Sequence, residues 1–179
     1  LERIIGDMYV KGLPVAIHAI TSEMVETVVG AYEKVKSNID NKLRYRIEHC
    51  SECPPDLLER IKILRPVIVS QPSFVFYSGD RYLSIIEPEI IPWLYRFNSL
   101  LTVDLILAAG SDAPVVSSPN PLIAIYSAVT RKTQKQQLFN PIESVLPYQA
   151  LAMFTTNAAY AASEEDVKGS ITPGKLADL

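Results

Sequence analysis

Two histidines and one aspartate are the residues of this sequence whose types and positions could hold a metal. His18 lies inside the apolar run of residues 15–20, and His49 lies near the end of a second strand-like segment. Asp112 follows a further apolar segment, residues 105–110. Two neutral imidazoles and a carboxylate form a ligand set suited to zinc, manganese or iron. The three residues therefore predict a metal or catalytic site, provided that the fold brings them together.

Each of these residues also has an ordinary structural interpretation. A histidine in a buried strand is often satisfied within the core, and an aspartate before Pro114 is often a turn residue. The sequence pattern alone leaves both interpretations open. What favours a site is that all three residues fall near the C-terminal ends of predicted strands.

The elements that must position these residues alternate between strand and helix. Apolar, β-branched runs predict strands over residues 15–20, 44–50, 67–70 and 105–110. Helical spacing and proline or serine starts predict helices after Ser22, after Pro55, over residues 121–132 and over 141–162. Residues 78–104 are predicted to form a lid loop followed by a helix from Pro92. Repeated strand–helix units imply parallel strands, whose carboxyl ends share the edge where active sites of α/β barrels lie.

Composition excludes several classes of function. The chain has 179 residues, a length typical of one domain, and a net charge of -3, which offers no broad basic surface for nucleic acid. No apolar run approaches the length of a membrane span. Two cysteines cannot form a disulfide framework, so a reducing cytoplasm is the expected compartment. The ends of the sequence suggest a fragment of a longer protein.

Two other clusters have weaker functional interpretations. Cys50 and Cys53 have the Cys-x-x-Cys spacing of redox sites, but a second pair that would close a zinc site is lacking, and structural thiols are the favoured interpretation. Arg131, Lys132 and Lys135 are interpreted as a solvated helix end, since cations stabilise helix C-termini.

Six motifs, in order, give the chain a resemblance to a known family. VAIHAI, RYRIEHC, VSQPSF, GSDAPV, FTTNAAYAA and GSITPGKLADL together resemble the YtcJ-like branch of the metal-dependent amidohydrolases. The resemblance implies an α/β fold, a partial (β/α)8 TIM-type barrel comprising about strands five to eight with their helices. Residues 1–166 would form this half-barrel, and residues 167–179 would begin the return to a small β-sandwich.

The resemblance also implies roles for individual residues. His18 would be the strand-five metal ligand, His49 the strand-six ligand, and Asp112 the strand-eight carboxylate that both binds metal and acts as general base. The activity implied is hydrolysis of C–N bonds in small amide-type molecules, usually with zinc. Gln71, Phe74 and Tyr77 are candidates for the substrate pocket.

The family's first-strand His-x-His pair and strand-four lysine or glutamate are not in this sequence. The chain alone is therefore expected to be inactive, and whether it binds metal alone stays open. A half-barrel also leaves two open sheet edges and an apolar inner face, which predict a homo-oligomer or a missing N-terminal half. The alternative function is a non-catalytic, barrel-derived assembly module without metal.

Overall fold

The structure, a computed structural model, describes residues 1–35 and 44–178. Its described strands form one parallel sheet in the order β1-β2-β3-β4, with β1 Val15–Ala19, β2 Tyr45–His49, β3 Val67–Ser70 and β4 Leu107–Ala109. The helices are α1 Glu2–Val10, α2 Ser22–Val35, α3 Pro55–Leu64, α4 Pro72–Ile85, α5 Phe97–Thr102, α6 Pro121–Thr130, α7 Pro147–Phe154 and α8 Thr156–Ala161. The predicted parallel α/β arrangement is confirmed, with strands slightly shorter than expected.

One face of the sheet packs on helices and forms the core. Ile47, Ile68 and Leu107 are fully buried on three adjacent strands of this face. The predicted apolar sides of α2 and α3 cover it, because their valines, leucines and isoleucines recur at helical spacing. The hydroxyl of Tyr32 on α2 donates to the carbonyl oxygen of Arg46 at 2.8 Å. This contact fixes α2 against the sheet.

The other face of the sheet, here called the open face, carries mostly side chains that are only partly covered. Strand alternation and register place six residues on it: Ala16, His18, Arg46, Glu48, Val69 and Ala108. Ala16 and His18 are exposed, Ala108 is buried, and the other three are half-buried. Three of these six side chains are polar or charged, so the open face is more polar than the apolar inner face that was expected.

Residues 78–104 depart furthest from the sequence prediction. Much of the expected lid loop belongs to α4, and the later helix begins at Phe97 instead of Pro92. Gly79 lies within α4, although glycine ordinarily weakens a helix. A β-carbon at Gly79 would lie 2.6 Å from Cγ2 of Thr133, so the glycine permits close approach of a neighbouring loop.

The predicted helix over residues 141–162 is also divided. Pro141–Glu143 is a single 3-10 turn, and α7 and α8 are separated at Thr155, whose φ of -119° and ψ of -94° are not helical. Downstream, the described residues 167–178 contain turns and no strand, so the start of a sandwich stays a prediction.

Arg131 corrects the prediction of a solvated basic cluster. Its side chain is fully buried, and its Nε donates to the carbonyl oxygen of Phe139 at 3.0 Å. The guanidinium lies over the rings of Phe97 and Phe139, at 5.0 and 5.7 Å from their centroids. Lys135 is exposed, as predicted.

Across the described residues, none of the helices has the length and apolar character needed to cross a membrane.

Candidate metal centre

The two histidines of the chain lie side by side at the C-terminal edge of the sheet. The ring centroids of His18 and His49 are 4.5 Å apart, and the ring planes meet edge-on at 74°. His18 is exposed on the edge strand β1, whereas His49 is only 6% exposed. The structure therefore brings together the first two residues of the predicted ligand set.

The backbone at the end of β2 explains how His49 reaches His18. Strict alternation would place His49 on the helix-packed face with Ile47. Instead, the φ of His49 is 72° and that of Cys50 is 48°, which is left-handed backbone that ends the alternation. The amide of Cys50 still donates to the carbonyl oxygen of Ala19 at 2.9 Å, so β1 and β2 stay joined beyond the turn. Such conformations are costly for residues other than glycine and cluster at functional sites.

Two predicted pocket residues contact His49. Gln71, which directly follows β3, has its Oε1 atom 2.7 Å from Nδ1 of His49. The Phe74 ring lies 6.4 Å from the His49 ring, tilted by 33°. Both residues are buried, at 3% and 9% exposure, so they contact the part of His49 that is shielded from solvent.

Tyr77 is placed elsewhere. It lines a surface cleft of about 580 Å³ together with Asp80, Arg81 and Lys135, and neither histidine lines that cleft. Gln71 and Phe74 do not line this cleft either, and a substrate contact for any of the three candidates stays a prediction.

Asp112 follows β4 at the same edge of the sheet. The amide of Gly110 donates to the carbonyl oxygen of Ser70 at 3.0 Å, which extends the β3–β4 pairing toward it. Asp112 is exposed, its φ is 55°, and its carbonyl oxygen accepts from Val115 at 2.9 Å. Within residues 1–35 and 44–178, no group of three or more histidine, cysteine, aspartate or glutamate side chains could hold a metal. The convergence of Asp112 with the histidines therefore stays a prediction.

Glu48 is a site neighbour that the sequence argument overlooked. It is paired in register with His18 across β1 and β2, and its carboxylate forms an ion pair with Arg46. Alternation along the two strands could have found it, because it shares the open face with His18 and immediately precedes His49. Glu48 therefore adds a carboxylate to the face that carries His18, with Arg46 as its counter-ion.

Cys50 directly follows His49, Cys53 lies three residues further along the chain, and both are buried. Both thiols are free. Hydrogen bonding to Cys53, together with burial, raises the pKa of Cys50 well above its ordinary range. A thiol with a raised pKa is a poor nucleophile, which favours the structural interpretation over a redox site.

A parallel sheet with helices between its strands defines an α/β protein, a class whose ligand sites lie at the carboxyl ends of the strands. The chain belongs to the amidohydrolase family, since the sequence model of that family matches residues 1–179.

Curated relatives agree with this placement. The chain is 37% identical over 171 residues to "Protein LONG AFTER FAR-RED 3" of Arabidopsis thaliana, covering 94% of the chain and 29% of that protein. It is 29% identical to "Putative amidohydrolase YtcJ" of Bacillus subtilis (strain 168), covering 100% of the chain and 34% of the relative. It is 30% identical to "N-substituted formamide deformylase" of Arthrobacter pascens, covering 94% of the chain and 31% of the relative. The chain thus spans about a third of the length of these relatives.

Solved structures show the same fold. An uncharacterized metal-dependent hydrolase from Pyrococcus furiosus matches with a TM-score of 0.82 and 29% identity, over 98% of this chain and 34% of that one. Its counterpart from Pyrococcus horikoshii OT3 matches with a TM-score of 0.84 and 28% identity, over 98% and 35%.

Proposed function

We propose that the chain supplies about strands five to eight of an amidohydrolase barrel that hydrolyses C–N bonds of small amide-type molecules with a divalent metal, most simply zinc. The observation that carries the proposal is the contact between His18 and His49, whose ring centroids lie 4.5 Å apart at the carboxyl edge of a parallel sheet. The family match over residues 1–179 supports the reaction class. The formamide deformylase named among the relatives supports an N-substituted formamide as the first substrate to test.

The donor set fits a divalent metal in part. His18 and His49 would supply two imidazole ligands, and Asp112, beyond β4 at the same edge, would supply a carboxylate. A bound divalent metal supplies Lewis-acid polarisation of the scissile carbonyl and activation of the attacking water. Asp112 would accept the proton of that water and deliver it to the leaving amine nitrogen, which gives a carboxylate and an amine as products.

The rest of such a barrel would cover the open face and the free edges of the sheet. β1 and β4 each pair with one neighbour in the described sheet, so each has unpaired backbone groups along its outer side. Because the chain spans about a third of its relatives, we propose that an N-terminal segment of the same protein, or a second copy of the chain, closes these edges.

A chimera tests the proposal. In it, this chain replaces the matching third of the Arthrobacter pascens deformylase, which supplies the remaining strands. We expect the chimera to contain zinc and to release formate from an N-substituted formamide. Replacing His49 with alanine removes a ligand that the metal needs, so both zinc content and formate release should be lost.

The intact deformylase and the chimera carrying Gln134→Leu, an exposed position, are the controls. A chimera that folds as the deformylase does and keeps both zinc and activity without His49 would contradict the proposed site. A folded chimera that binds no zinc would favour the assembly module instead.

A further inference from the structure

We propose that Gln71 is a positioning residue that fixes the imidazole of His49 in the tautomer whose proton is on Nδ1 and whose Nε2 is free to bind metal. The inference rests on the proposed metal site for its purpose, but its structural content concerns only this chain. It starts from the amide of Gln71, whose two ends are chemically distinct: Oε1 only accepts hydrogen bonds and Nε2 only donates them.

The backbone fixes which end of Gln71 faces His49. The Nε2 atom of Gln71 donates to the carbonyl oxygen of Val69 at 3.3 Å. A carbonyl oxygen cannot donate, so reversing the amide would place two acceptors against each other. Gln71 therefore presents Oε1 to His49, and the backbone of β3 anchors that orientation.

The orientation of Gln71 in turn fixes the proton on His49. The separation of 2.7 Å between Gln71 Oε1 and His49 Nδ1 is a hydrogen bond, and an amide oxygen can only accept it. His49 Nδ1 must therefore carry the hydrogen. In the neutral imidazole, this leaves the lone pair on Nε2, the nitrogen that a metal at the edge would use.

The surroundings of Gln71 suit such a role. Gln71 is 3% exposed and His49 is 6% exposed, so water competes little for their hydrogen bond. Gln71 also lies between the end of β3 and the first turn of α4, where its backbone is held on both sides. Partners of this kind orient metal-binding histidines, and their loss typically weakens metal binding about 10- to 100-fold.

The test reads the tautomer directly in the metal-free 179-residue chain. Long-range ¹H–¹⁵N NMR spectra distinguish the nitrogen that carries hydrogen from the one that does not. They are recorded at about pH 8.5, where an ordinary histidine with a pKa near 6.5 is neutral. The chain has only two histidines, so a His18→Asn variant assigns both rings. We expect the hydrogen of His49 on Nδ1.

Variants at Gln71 separate a positioning role from a packing role. Gln71→Leu removes the acceptor, and we expect His49 to shift toward the Nε2–H form, which neutral imidazoles in water favour. Gln71→Glu keeps an acceptor oxygen and should retain the Nδ1–H form. Gln134→Leu, at an exposed glutamine, should leave the spectrum of His49 unchanged.

An Nε2–H tautomer in the wild-type chain would overturn the inference even if a variant at position 71 fails to fold. Retention of the Nδ1–H form in Gln71→Leu would overturn it as well. Neither result bears on the proposed hydrolase activity, which is tested separately by the zinc content and formate release of the chimera. Conversely, an Nδ1–H tautomer in a chain whose chimera binds no zinc would leave the tautomer assignment standing and contradict only the metal site.

Discussion

Replacing Glu143 with alanine is expected to lower the free energy of unfolding by about 3–5 kcal/mol, the usual effect of removing one partner from a buried charge pair. Glu143 is 3% exposed, and its Oε2 atom accepts from the backbone amide of Ser99 at 2.8 Å. The Ser99 hydroxyl and the Arg96 guanidinium also contact its Oε1 atom. Its loss would remove the acceptor of the Ser99 amide, the Ser99 hydroxyl and the Arg96 Nε, all of which are partly buried.

Arg131 makes this loss more severe. Burial lowers the pKa of Arg131 to about 10, and the negative charge of Glu143 opposes that effect. The folded pKa of Arg131 lies below the ordinary 12.5, so the unfolded chain binds the guanidinium proton more tightly than the folded chain does. The charge on Arg131 therefore destabilises the fold at every pH below about 10. The Nη1 and Nη2 atoms of Arg131 have no hydrogen-bond partner among the described residues. Without Glu143, this guanidinium would lose its compensating negative charge.

Chemical denaturation of the chain, with the Arg131→Met variant completing a double-mutant cycle, measures the effect. We expect Glu143→Ala to be less damaging when methionine has already removed the buried charge. Glu59→Ala is the matched control, because Glu59 forms an ion pair with Lys62 at the surface and should contribute only about 0–1 kcal/mol. Additivity in the cycle, or an effect of Glu143→Ala as small as that of the control, would show that Arg131 does not depend on Glu143.

Replacing Asp112 with asparagine in the chimera should lower kcat by about 10²- to 10⁴-fold, the range for loss of a general base. Asparagine keeps the size of the side chain and still accepts through one oxygen, but it cannot take a proton from water. The turn itself should survive, because asparagine tolerates the left-handed backbone that Asp112 adopts with a φ of 55°. The rate of formate release at saturating substrate measures the effect.

Asp104 provides the control for this substitution. It is also exposed and also has a positive φ, of 59°, but it follows α5, away from the carboxyl edge of the sheet. Asp104→Asn should leave kcat unchanged, since its surface ion pair with Arg65 contributes little. Equal activity in the two variants would remove Asp112 from the proposed chemistry.

The sequence predicted the sheet because apolar, β-branched runs between helical segments specify buried parallel strands. It also predicted that His18 and His49 would meet, because residues at the carboxyl ends of neighbouring parallel strands share an edge. It did not predict how His49 reaches that edge, since the left-handed backbone at His49 and Cys50 has no signature in the residue types. The contact between His49 and Gln71 depends on this turn, so it too was visible only in the structure.

Arg131 and Gly79 show a different limit of sequence reasoning. Arginine after a helix is usually solvated, which misled the prediction for Arg131, and glycine usually weakens a helix, so the residue type of Gly79 gives no signal of its place within α4. Their environments are set by tertiary packing: Phe97 and Phe139 enclose Arg131, and Thr133 approaches Gly79. The sequence placed Asp112 correctly at the carboxyl edge of the sheet, after β4. Its convergence with His18 and His49 stays a prediction.

The central claim is that His18 and His49 bind the same metal ion, and anomalous X-ray scattering at the zinc absorption edge tests it most directly. Crystals of the chimera grown with zinc are expected to show one anomalous peak bonded to a ring nitrogen of each histidine, at about 2.0–2.1 Å. Zinc peaks that lie away from both rings, or a peak bonded to one ring alone, would contradict it.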